Sequence, residues 1–284
     1  MLMKAGGRIM SAADYEASLR EYNPTVYVDG DLVESVADDS RLKPGVRAVG
    51  VTYDFAQKPE YGGLMLAEQG TSGKTVNRML HINRHSEDLL SKLEAVRLVC
   101  RESGCAQRYL THDALNAIYQ ATWQMSEDTG GEQHERFLSY LHRIQDEDLT
   151  LGVAMTDGKG DRSKRPGDQA VRDSYVHITK RSAEGVVISG VKAIVTGGPY
   201  MHELLVMPCR TMRKEDADFA ICCAVPIDAK GLTIISRPAG RPGEAEAEFS
   251  SKYGQSVAVC HFDQVFVPWD QVFFAGEHEY TEHL

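Results

Sequence analysis

The stretch EQHERFLSYLHRIQDEDLTLGVAMTDGKGDR, from Glu132 to Arg162, holds the change of pattern that decides the fold. Up to Glu147 its apolar side chains, Phe137, Leu138, Leu141 and Ile144, recur at helical spacing. After Asp148 the pattern changes to short β-rich runs separated by turns. A helical part therefore meets an all-β part near residue 148.

Upstream of this stretch, Ser86 to Glu147 carries two glycine interruptions and no proline. Leu89, Leu90, Leu93, Val96 and Leu98, then Leu110, Leu115, Ile118, Tyr119 and Trp123, predict two or three long helices, the second closing at Thr129-Gly130-Gly131. Nearer the start, Ser11 can cap a short helix by accepting from the Asp14 amide, and the helix ends near Tyr22. Val26–Val28, Asp29-Gly30 and Leu32-Val33 predict a small peripheral hairpin. Arg47 to Arg84 is broken by Lys58-Pro59, Gly62-Gly63 and Gly70 and predicts short helices and loops. Downstream, Val186–Ile188, Ala193–Val195, Leu204–Met207, Phe219–Val225, Leu232–Ile235 and Val257–Val267 each suit a strand of a buried sheet or barrel. The expected fold class is α+β, with a helical domain over residues 1–147 and a β domain over 148–284.

The chain has 284 residues, 42% hydrophobic and 25% charged, which excludes a disordered protein and a disulfide-stapled miniprotein. Its 31 basic against 41 acidic residues give a net charge of −10, so duplex nucleic acid is not an expected partner. No apolar run approaches the roughly 20 residues of a membrane span. Met1 to Met10 lacks the apolar core of a secretory signal, so a cytoplasmic address is expected. Cys100, Cys105, Cys209, Cys222, Cys223 and Cys260 are too scattered for a disulfide framework and suit reduced thiols or metal ligands.

Gly73-Lys74-Thr75 resembles the tail of a phosphate-binding loop, but Glu68 stands where that loop needs its first glycine. No glycine-rich dinucleotide fingerprint joins a strand to a helix. Met155 to Arg162 is more informative. Its two glycines let the backbone approach a ligand, while Thr156, Lys159 and Arg162 offer donors for a phosphate or a flavin ring. A solvated turn has the same composition. Thr196-Gly197-Gly198 poses the same choice at a strand end. On a continuous helix Cys100 and Cys105 point apart, whereas Cys105 and Tyr109, four apart, share a face with Gln107 and Arg108 between them. A buried structural cysteine is the alternative for each thiol. No histidine pair has metal-binding spacing, and the adjacent Cys222 and Cys223 must face opposite sides of a strand.

Several runs, in order along nearly the whole chain, resemble the flavoprotein family of 4-hydroxybutyryl-CoA dehydratase and 4-hydroxyphenylacetate 3-monooxygenase. They are Thr52 to Tyr61, Gly73 to Arg78, Asp113 to Ala117, Ala154 to Arg162, Gly190 to Ala193 with Thr196-Gly197, Asp228 to Leu232, and Phe262 to Pro268. The Ala154 to Arg162 run is most similar to the dehydratase branch. The resemblance implies an acyl-CoA-dehydrogenase-like fold of N-terminal helical domain, middle β-barrel and C-terminal four-helix bundle, usually tetrameric, with FAD between domains. The bundle would begin where this chain stops, at Leu284.

The resemblance further implies that Gln107, Met155, Thr156, Lys159, Arg162 and Thr196 hold the flavin. It places Cys105 and Tyr109 at the reactive centre. In the dehydratase branch an iron–sulfur cluster is held by two cysteines four apart, with a His and a Cys from the bundle. Cys105 matches the first as a metal ligand, and Tyr109 replaces the second, where a phenol is a poor substitute for thiolate. In the monooxygenase branch Tyr109 matches the tyrosine that binds a substrate phenol, Cys105 stands in place of an arginine, and Val153 in place of a substrate histidine. The expected activity is FAD-dependent dehydration or double-bond isomerisation of a small acyl-CoA, completed by a homo-oligomer or by a separate chain carrying the bundle. The alternatives are the oxygenase component of a two-component aromatic hydroxylase acting on a phenolic substrate, and a non-catalytic fragment or subunit.

Overall fold

The computed structural model describes residues 7–158 and 160–284. It opens on helix α1 (Ala12–Leu19), where Ser11 accepts from the Asp14 amide and Asp14 answers in a capping box, as its sequence predicts. Strands β1 (Thr25–Val28) and β2 (Asp31–Leu32) form the expected hairpin on Asp29-Gly30, both at positive φ. The hairpin is not peripheral: β1 also pairs in parallel with a strand from much later in the chain, and Val26 and Val28 are fully buried. A second departure follows at once. Helix α2 (Lys43–Gln57) is long and buried on most of its surface, where short pieces were expected. Gly45 and Gly50 sit inside it because a Cβ at Gly45 would lie 2.4 Å from the Tyr200 ring, and one at Gly50 would lie 3.0 Å from Ala12. Both glycines inside the helix are therefore points of close approach.

After α3 (Gly62–Met65) and the short ribbon β3 (Leu66–Glu68) with β4 (Thr75–Asn77) come the three expected helices. These are α4 (Ser86–Ser103), α5 (Tyr109–Thr129) and α6 (Gln133–Glu147). Each stops at a left-handed residue, Gly104, Gly130 and Asp148 respectively.

The rest of the chain builds two sheets. Strands β6 (His177–Arg181), β7 (Gly185–Thr196), β10 (Leu232–Ser236) and β11 (Val257–Pro268) join the N-terminal hairpin in a six-stranded sheet of order β2-β1-β10-β11-β7-β6, with α7 (Glu248–Lys252) in the β10–β11 connection. Strands β5 (Leu151–Ala154), β8 (Glu203–Val206), β9 (Ile221–Pro226) and β12 (Val272–Ala275) form the smaller sheet, order β12-β9-β8-β5. The two expected strands at 186–188 and 193–195 are one: Gly190, at φ +132, and Ile194, at φ +60, bend β7 without ending it.

The smaller sheet lies between two cores. Its Leu204, Val206 and Cys223 pack with α1, α2 and the large sheet, while Leu205, Met207 and Cys222 pack with Leu115, Phe137, Leu141 and Ile144 of α5 and α6. Adjacent residues thus enter opposite cores, as the period of a strand requires for Cys222 and Cys223. Among the described residues no helix is long and apolar enough to cross a membrane.

Candidate functional site

Where α5 crosses the ends of β5 and β7, a cleft of about 330 Å³ opens. Leu110, Asp113, Ala114 and Ala117 form one face of α5 at i, i+3, i+4 and i+7. Opposite stand Val153, Met155 and Thr156 from β5 and its exit, Ile194 and Thr196 from β7, and Met207 just past β8, with Leu284 at the rim. The cleft thus has apolar walls, two hydroxyls and one ionisable group. Burial pushes the Asp113 carboxyl up, but His112 and Lys92 together hold it below its ordinary value, so the cleft carries a carboxylate near neutral pH.

Three of the residues singled out from the sequence, Met155, Thr156 and Thr196, meet here. Gln107 borders them. Its Oε1 accepts from the Tyr200 hydroxyl at 2.9 Å, its amide donates to the Gly254 carbonyl at 3.3 Å, and Oε1 would lie 2.8 Å from a Cβ at Gly197. With φ at +68 and the Met201 methyl closer still, at 2.3 Å, position 197 is held to glycine, which keeps the backbone bare beside Thr196. The Thr196 hydroxyl accepts from Gln255 at 3.3 Å. Arg162 is exposed on the loop after β5, outside the cleft lining, and Lys159 lies outside the described residues.

Cys105 and Tyr109 do not share a helix. The chain leaves α4 at Gly104 and re-enters a helix only at Tyr109, so Cys105 sits in the connection and the helical-face argument for the pair does not hold. Tyr109 opens α5 one turn before Asp113 and is 38% exposed. Cys105 is half-buried, and burial pushes its thiol up despite the Gln107 amide, which favours the uncharged form over the thiolate a metal needs.

Beneath this connection lies a buried polar cluster. The Arg108 guanidinium is fully buried, 3.0 Å from Asp148 and 4.1 Å from the centre of the Tyr53 ring. Tyr53 donates to the Asp148 carbonyl, stacks on Tyr15, and Tyr15 donates to the Tyr200 carbonyl at 2.6 Å. Arg108, a neighbour of Gln107 in sequence, thus ties the connection to the floor of the fold.

The α5 face is what sequence reasoning missed. Asp113 to Ala117 belongs to a run that resembles the flavoprotein family, yet its small side chains look the same as core alanines in sequence. Spacing alone, Leu110, Asp113, Ala114, Ala117, could have marked a helix face left open by small residues.

An isoalloxazine ring is a planar, largely apolar group with a polar rim, and apolar walls with two hydroxyls and a bare glycine turn suit it. An iron–sulfur cluster is not matched. Cys105 is the one thiol at this connection, and among the described residues no group of three or more His, Cys, Asp or Glu side chains gathers as metal ligands.

The family model described as 4-hydroxyphenylacetate 3-hydroxylase N terminal matches residues 11–274. The 4-hydroxybutyryl-CoA dehydratase/vinylacetyl-CoA-Δ-isomerase of Clostridium aminobutyricum is 34% identical over 280 residues, 96% of this chain and 57% of its own length. The structure of an oxygen-tolerant archaeal 4-hydroxybutyryl-CoA dehydratase from N. maritimus superposes with a TM-score of 0.92 at 37% identity, covering 97% of this chain and 56% of that one. The oxygenase component of 4-hydroxyphenylacetate 3-monooxygenase complexed with FAD superposes with a TM-score of 0.80 at 26% identity, covering 96% and 56%. The chain spans about half the length of the curated relatives it matches.

Proposed function

The chain belongs to the 4-hydroxyphenylacetate 3-hydroxylase N-terminal family, and from that premise we propose that it forms the N-terminal and middle parts of an FAD-dependent enzyme that dehydrates or isomerises a small acyl-CoA. The observation that carries this reading is the gradient of likeness, 37% identity and TM-score 0.92 to a dehydratase against 26% and 0.80 to a monooxygenase. The cleft agrees with it. Its described lining offers no cation to pair with an arylacetate carboxylate, while an uncharged acyl chain or ring meets Leu110, Val153 and Met155. In this reading the acyl-CoA-dehydrogenase-like architecture, with a barrel and a C-terminal bundle, is completed by polypeptide equivalent to the remaining length of the relatives.

Thr156 and Thr196 would hydrogen-bond the flavin, with Met155 against its ring and Gln107 beside it, and the family resemblance adds Lys159 and Arg162 as further donors. When bound, FAD supplies reversible electron transfer that makes a C–H bond beside the thioester acidic. The protein's part is to keep water from that carbon with the apolar walls and to orient the ring through the two hydroxyls. No step is assigned to an iron–sulfur cluster. With a single thiol at the connection, isomerisation fits these residues better than dehydration.

A second reading is favoured by Tyr109, whose partly exposed phenol at the start of α5 could contact a substrate phenol, as in the oxygenase component of an aromatic hydroxylase.

The chain co-expressed with a C-terminal polypeptide matching the rest of the relatives provides the test. We expect FAD to co-purify, and vinylacetyl-CoA to be converted to its conjugated isomer. Folded, assembled protein that stays colourless with excess FAD would overturn the flavin reading. Hydroxylation of a phenol with reduced flavin, lost in Tyr109→Phe, would instead establish the second.

A further inference from the structure

Lys192 is the one buried lysine among the described residues, 1% exposed in the middle of β7. Burying an ammonium is costly unless all of its donors are used. Here they are. Nζ donates to the Met155 carbonyl at 2.8 Å and the Met207 carbonyl at 2.7 Å, and pairs with Asp157 Oδ1 at 2.7 Å. Asp157 is equally buried and also accepts from the Val176 amide at 3.0 Å.

The two carbonyls follow the ends of β5 and β8, which run parallel and belong to the smaller sheet, while Lys192 belongs to the larger one. Around the ammonium the segments are sewn by backbone bonds: Ala193 to the Thr156 carbonyl at 2.8 Å, Gly158 to Val191 at 3.0 Å, and Met207 to Ala154 at 3.1 Å. Every wall of the cleft except α5 and the rim at Leu284 converges here, since Met155 and Thr156, Met207, and Ile194 with Thr196 each adjoin a partner of Lys192 or its own strand. With its donors consumed inside the protein, Lys192 has none left for a ligand.

We propose that Lys192, paired with Asp157, is a positioning residue that clamps the two sheets together behind the cleft and fixes Met155, Thr156 and Met207 in place. An apolar residue would fill the same volume but leave two strand-end carbonyls unpaired in the interior, so the lysine sets the register of the cleft as well as its packing.

The test compares the full chain with Lys192→Met and with the double variant Lys192→Met/Asp157→Asn, which leaves no orphaned charge and guards against a single variant that fails to fold. Hydrogen exchange is followed at the Gly158, Ala193 and Met207 amides, with the Leu232–Ser236 amides of β10 as the reference. In the double variant the three clamp amides should exchange about tenfold faster or more, with the β10 amides unchanged. Unchanged clamp amides, or the same acceleration in β10, would overturn the proposal. A second measurement rests on the flavin reading: in the assembled protein the double variant should bind FAD about tenfold more weakly, with an altered visible band shape, whereas Ser163→Ala on the outer loop should change neither. Wild-type protein that binds no FAD would sink the flavin reading alone, because the exchange result decides the clamp independently.

Discussion

His202 gives the most direct test of the fold's electrostatics. It is fully buried at the start of β8, where its Nδ1 accepts from the Thr150 amide at 2.9 Å. The other nitrogen therefore carries the proton and donates to the Ser18 hydroxyl at 2.8 Å. A second proton on Nδ1 would set two donors against each other. Burial, reinforced by Arg108, pulls the imidazole from its ordinary value of 6.5 down to about 3. The unfolded chain takes up a proton below 6.5 that the folded chain refuses until about 3, so this contribution is intact above 6.5 and is lost as the pH falls through that window. The slope for one proton is about 1.4 kcal/mol per pH unit, or roughly 2 kcal/mol between pH 6.5 and pH 5. His202→Asn keeps an acceptor near the Nδ1 position but cannot titrate. It should be less stable than wild type at pH 7 because ring packing is lost, and the gap should close by about 2 kcal/mol by pH 5. Urea denaturation of both proteins across this range measures the difference, in which titrations common to both cancel. Parallel stability curves would refute the assignment of a buried neutral imidazole.

Arg108→Met leaves the Asp148 carboxylate buried without its partner and should cost about 3–5 kcal/mol, whereas Arg108→Met/Asp148→Asn should recover part of that loss. Denaturant midpoints of the two variants decide it, and a single variant within 1 kcal/mol of wild type by that measure would contradict the pairing. Gly45→Ala, ordinarily stabilising in a helix by about 1 kcal/mol, should here destabilise by about 1–3 kcal/mol. The Tyr200 ring it would strike is held by Gln107 and by the Ser256 amide, and a raised melting temperature would show that the ring can yield.

The long helices and most strands were legible because their burial is one-sided and periodic. Phe137, Leu141 and Ile144 mark α6, and the adjacent cysteines of β9 divide between two cores as alternation demands. Helix α2 was not legible because it is buried nearly all round and carries glycines chosen for contact with Tyr200 and Ala12, so its amphipathic signal is weak and its spacing looks interrupted. Strand β7 looked like two because Gly190 reads as a break, whereas a bulge absorbs it. At the cleft, threonines flanked by glycine or strand ends could be read from sequence. The α5 wall and Lys192 could not, since alanine on a helix and a lone lysine in an apolar strand reveal their surroundings only in three dimensions. The inferred Cys105–Tyr109 face failed for a local reason: Gly104 in its left-handed conformation ends one helix, and the next begins four residues after Cys105.

The parallel pairing of β1 with β10 sets the order in which a ribosome can deliver this fold. Thr25 must wait for Thr233, roughly 200 residues later, which at about 5–20 residues per second is on the order of ten to forty seconds of synthesis. Throughout that interval the Thr25–Val28 segment, apolar and with one edge unpaired, is a free β-template. Crowded nascent chains would meet through it, and a chaperone that shields this segment early would raise the yield of correctly closed sheet more than one that acts only after release.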